Sequence, residues 1–100
     1  MLQGGGPAMK HAGSDALDDL EPLVAAIRGL AGLKEKQRGV FYRRGRAFLH
    51  FHEDAAGLFC DVRLEPAEDF TRFRVSSASE RKALLAKVKA VLDADGAARR

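Results

Sequence analysis

The chain has no tryptophan, one cysteine and only three prolines in 100 residues. A single thiol excludes an intramolecular disulfide. Cys60 falls on the apolar side of a strand, so it reads as a small buried hydrophobe in a reducing compartment. No apolar run approaches the roughly twenty residues that a membrane span needs. None follows a positive start at the N-terminus, so the expectation is a cytoplasmic protein without a membrane partner. Ser14, Ser76, Ser77 and Ser79 stand at helix starts, where capping accounts for them, and none sits in a glycine-flanked nucleophile elbow. Gly4-Gly5-Gly6 follows no strand and opens no helix, so it is no phosphate loop. The formal net charge is only +3, too little for composition alone to imply nucleic acid.

What is present is alternation. A two-residue turn at Arg44-Gly45 pairs Tyr42 with Ala47 and Val40 with Leu49. A turn over Asp54-Ala55-Ala56-Gly57 then pairs Phe51 with Cys60, Leu49 with Val62 and Ala47 with Leu64. This register puts Val40, Tyr42, Ala47, Leu49, Phe51, Cys60, Val62 and Leu64 on a core face. Residues 70–76 alternate in the same way and read as a fourth strand. Before the strands, Leu20, Leu23, Val24, Ile27, Leu30 and Ala31 make an apolar helical stripe over residues 15–32, with Pro22 in its first turn. After them, Ser77 and Glu80 form a capping box that starts a helix with Leu84, Leu85, Val88, Val91 and Leu92 on one side. Residues 1–13 read as a disordered tail, 14–94 as a single domain and 95–100 as a flexible end. The expected fold is α+β: a two-layer sandwich in which an N-terminal and a C-terminal helix cover one face of a four-stranded antiparallel meander.

The uncovered face is where function is sought. It is expected to carry Phe41, Arg43, Arg46, Phe48, His50, His52, Phe59, Asp61 and Arg63, joined by Arg72 and Arg74 of the fourth strand. Rings among arginines on an open sheet suit a protein partner, with a second copy of the chain as the commonest case, and the leading expectation is therefore a non-enzymatic binding module without a cofactor. The alternative is nucleic acid or another polyanion: Phe48 and Phe59 would stack bases while Arg43, Arg44, Arg46, Arg63, Arg72 and Arg74 meet phosphates. A third reading takes His50, His52 and Asp61 as a metal site, since two imidazoles two residues apart on a strand point the same way. An enzyme ranks below a binding module, because a flat sheet face gives little desolvation with which to separate pKa values.

Gly45-Arg46-Ala47-Phe48-Leu49, then Asp61-Val62-Arg63-Leu64-Glu65-Pro66, and the closing run from Phe73 through Leu92 resemble small bacterial domains of the MmcQ/YjbR type. The resemblance implies a small α+β bacterial cytosolic protein, with DNA as a suggested partner, and it carries over no catalytic residues.

Overall fold

The longest strand, Arg46–Asp54, alternates large apolar residues with histidines and organises everything around it. The computed structural model describes residues 10–64 and 69–98, with side chains to residue 94. In chain order its elements are β1 (Lys10–His11), α1 (Ser14–Asp19), α2 (Glu21–Arg28), β2 (Lys34–Gln37), β3 (Val40–Arg43), β4 (Arg46–Asp54), β5 (Gly57–Val62), β6 (Thr71–Arg74) and α3 (Ala78–Ala98). The α+β class stands, but the antiparallel sheet has six strands rather than four, in the order β2-β3-β4-β5-β6, with β1 also paired to β4. Residues 1–9 of the expected tail, residues 65–68 and Arg99-Arg100 of the expected flexible end lie outside the described residues.

The turns follow from local chemistry. Arg44 (φ 54°) and Gly45 (φ 79°) both take the left-handed conformation that a type I′ turn requires between right-twisted strands. From that turn β4 pairs with β5 in the expected register: Leu49 opposite Val62, His50 opposite Asp61, Phe51 opposite Cys60 and His52 opposite Phe59. The β3–β4 pairing departs from expectation. Tyr42 faces Ala47, but the next pair is Phe41 with Leu49, then Val40 with His50, so one residue of β4 is skipped. This β-bulge reverses the parity of β3 and breaks the alternation of β4. As a result Phe41 (1% exposed) and Phe48 (3%) join the core, and Val40, expected inside, is only half-buried.

The expected first helix is two. A proline cannot donate to the ladder and its ring crowds the carbonyl four residues back. Pro22 accordingly sits at the start of α2, and Leu20 both ends α1 and caps α2. The helices still bury one continuous surface. Leu17, Leu20, Leu23, Val24 and Ile27 meet Leu84 and Val88 of α3 and, from the sheet, Phe41, Leu49, Phe51, Cys60, Val62 and Val75 in one hydrophobic cluster. The capping box of α3 forms as its sequence implies, with the Glu80 N–H donating to Ser77 Oγ (3.1 Å) and the Ser77 N–H to Glu80 Oε1 (2.9 Å). With the helices on the core side of β4 and β5, the other side carries the polar rows.

Candidate metal centre

Two cross-strand rows lie on that outer side. One runs His50–Asp61–Arg72 across β4, β5 and β6, and the other His52–Phe59–Arg74. The second row extends in the opposite direction, because His11 of β1 pairs with His52. β5 occupies the opposite edge of β4 along this stretch, so β1 lies on the edge that β3 follows further down the strand. Lys10 and His11, expected in the tail, are thus a strand of the sheet, and Ala12 and Gly13 are tied to it. The Ala12 N–H donates to the Phe51 carbonyl (3.1 Å) and the Gly13 N–H to Glu53 Oε2 (2.6 Å). Gly13 in turn accepts from the Leu17 N–H (2.9 Å), so α1, anchored in the core through Leu17, holds β1 in place.

All three histidines of the sequence therefore meet. Ring centroids are separated by 4.6 Å (His50–His52), 5.0 Å (His11–His52) and 5.6 Å (His11–His50). One ring nitrogen from each lies within 4.8 Å of the other two. Tetrahedral zinc with Zn–N bonds of about 2.05 Å needs nitrogens about 3.3 Å apart, so inward shifts of the order of an ångström complete the set. His52 is 12% exposed at its side chain. His50 Nδ1 and both ring nitrogens of His52 are buried; His52 Nε2 has Asp61 Oδ2 at 3.2 Å, while His50 Nδ1 makes no hydrogen bond. A buried ring nitrogen left unbonded, as His50 Nδ1 is, is costly.

The electrostatics favour neutral imidazoles. Burial pushes the pKa of His50 below its ordinary value, as do the neighbouring His52, His11 and Arg72, while Asp61 pulls the other way. Burial also lowers His52, again against Asp61. A neutral imidazole keeps the lone pair that a metal takes. Asp61 is itself buried, which raises its pKa, but Arg72 reverses this: its Nε donates to Oδ1 (2.6 Å) and its Nη2 to Oδ2 (2.8 Å), and the net shift is downward. The carboxylate is thus ionised and engaged, with Oδ2 lying 3.2 Å from His52 Nε2. The expected trio of His50, His52 and Asp61 is revised accordingly: the third imidazole is His11, and Asp61 stands behind the cluster in the grip of Arg72. Beside it, Phe70 presents its ring to His50 (4.6 Å, 73°), and the Arg63 guanidinium lies 4.2 Å over Phe70 while its Nε donates to the Ala47 carbonyl (2.8 Å).

The other expected surface residues scatter. Phe41 and Phe48 are in the core. The Arg43 guanidinium lies 5.5 Å from the Phe48 ring centre, and Arg44 and Arg46 are exposed at the hairpin turn, several residues along the strand from the histidines. Phe59 is half-buried, Arg72 and Arg74 are exposed, and Arg74 Nε donates to Ser76 Oγ (3.3 Å). Within the basic segment, Arg38 is committed to Asp18 (2.9 Å) and Glu21 (2.8 Å). Cys60 is fully buried on the core side, its thiol pKa pushed well up by burial, so it does not belong to the cluster.

His11 escaped the sequence reading because a two-residue strand has no periodicity and glycines precede it. The usable signal was arithmetic: two of the chain's three histidines already shared a strand face. Compared with known proteins, the chain matches no family model, no curated protein and no solved structure, so the MmcQ/YjbR-like residues carry no functional assignment.

Proposed function

We propose that this domain binds a single zinc-class transition-metal ion through His11, His50 and His52. The observation that carries the reading is the convergence of all three histidines, one ring nitrogen from each within 4.8 Å of the other two, with His50 Nδ1 buried and unbonded. Imidazole donors suit zinc, nickel, cobalt, copper and ferrous iron, and three neutral ones make an ordinary nitrogen set for such ions. The Asp61 carboxylate beside His52 supplies the outer-shell partner that metal-bound histidines commonly have.

A docking face for a second copy, another protein or nucleic acid keeps Phe59, Arg63, Arg72 and Arg74, but Phe41 and Phe48 serve the core instead. That leaves it with less support than the metal reading.

The test is stoichiometry. Tag-free protein equilibrated with zinc and then desalted should retain about one equivalent by elemental analysis, and His50→Ala and His52→Ala should each abolish retention. Full retention by either substituted chain, or none by the wild type, would overturn the proposal.

A further inference from the structure

Three protein ligands leave a four-coordinate ion one open position, and the surroundings of that position decide what fills it. Resting on the metal reading above, we propose that it takes an oxyanion, the carboxylate or phosphate group of a small ligand, with Arg72 as the ligand's second anchor.

The charge balance points this way. Three neutral imidazoles leave the ion's double positive charge uncompensated. The carboxylate nearest the cluster, Asp61, does not compensate it, because Arg72 holds both of its oxygens. Asp54, two residues along β4 from His52, spends Oδ1 on the Ala56 N–H (2.7 Å). Arg72 meanwhile stays open to solvent, with 48% of its side chain exposed. A guanidinium whose inner edge grips Asp61 still presents an outer edge, and a planar fork of donors fits carboxylate and phosphate oxygens better than a point charge does. Arg63, pinned by the Ala47 carbonyl and stacked on Phe70, closes the side next to His50. Arg74 stands one row away, beside Phe59. A bound cation with guanidiniums beside it draws anions and repels cationic competitors.

Cobalt(II) reports on this directly, because its visible absorption changes when its fourth ligand changes. Tag-free protein saturated with Co²⁺ is titrated separately with inorganic phosphate and with acetate at constant ionic strength. A saturable spectral change with either anion supports the inference, and which anion produces it tells phosphate from carboxylate. Asp61→Asn keeps Arg72 and frees its fork, while the double substitution Asp61→Asn with Arg72→Met removes the fork and leaves no carboxylate to fill the position. The expected result is anion affinity at least about tenfold weaker in the double variant than in Asp61→Asn, the loss of one charge-assisted contact. An unchanged spectrum with both anions on Co²⁺-loaded protein, or equal affinities in the two variants, would overturn the inference while leaving the metal site standing. No uptake of Co²⁺ would instead remove the metal site, and this inference with it.

Discussion

Replacing His11 with alanine should separate metal binding from folding. His11 is exposed and β1 is held by backbone pairing with β4, by the Ala12–Phe51 bond and by the Gly13–Glu53 contact, none of which needs the imidazole. In the metal-free state the substitution should therefore cost less than about 0.5 kcal/mol, as for most surface changes. With zinc the two proteins should diverge. Free zinc at a hundred times Kd stabilises the wild type by about 2.7 kcal/mol. In a domain of this size that raises Tm by roughly 10–20 °C. If losing one of three imidazoles weakens binding about a hundredfold, the same zinc stabilises His11→Ala by only about 0.4 kcal/mol. Calorimetric scans of tag-free protein, with EDTA and then with buffered zinc, give both numbers. A full zinc shift in His11→Ala would refute the claim that β1 delivers a ligand. A Tm several degrees lower in EDTA would show that the imidazole itself holds β1 down.

Three further outcomes test the fold that positions the cluster. Phe48→Ala should cost about 3–5 kcal/mol in urea denaturation, as for a fully buried ring, and a loss under 1 kcal/mol would mean that the bulge leaves Phe48 in solvent. Gly57→Ala should cost about 1–3 kcal/mol, because φ is 138° there and a new Cβ would run into Ser76 Oγ, which accepts the Leu58 N–H (3.0 Å); an unchanged midpoint would refute that contact. Glu35 has its pKa lowered below the ordinary 4.5, chiefly by Arg28 and, against the effect of burial, by the Gly39 N–H. A depressed carboxylate contributes stability that is present above its unfolded value and lost as pH falls through the folded one. Glu35→Gln should therefore flatten the acid limb of the stability–pH curve below about pH 4.5, and a limb of unchanged steepness would count against the Arg28–Glu35–Gly39 arrangement.

Where apolar alternation was strong, the sequence told the truth about structure. The β4–β5 register was legible because Leu49, Phe51, Cys60 and Val62 alternate strictly with polar partners, and a slip of one residue would have inverted the faces. The capping box was legible because Ser77 and Glu80 act locally. The bulge at Ala47-Phe48 was not, since skipping a residue is decided by how Phe41 and Phe48 both fill the space under the helices. β2 gave no strand signal because Lys-Glu-Lys-Gln has no apolar alternation, and edge strands favour such charged sequences to discourage further pairing. Two of the three imidazoles of the candidate site were visible as His50 and His52. The rest depended on a tertiary contact spanning some forty residues, from His11 to His52, which no local rule encodes.

The lone thiol, sealed against the helices, makes the chain its own unfolding gauge. A thiolate-seeking reagent reaches Cys60 only when the inner layers part, so its labelling rate counts openings of the whole domain without an introduced probe. Because that side chain looks away from the imidazoles, the same clock runs with or without an ion bound, and any slowing on loading measures directly how far the ion holds the two layers shut.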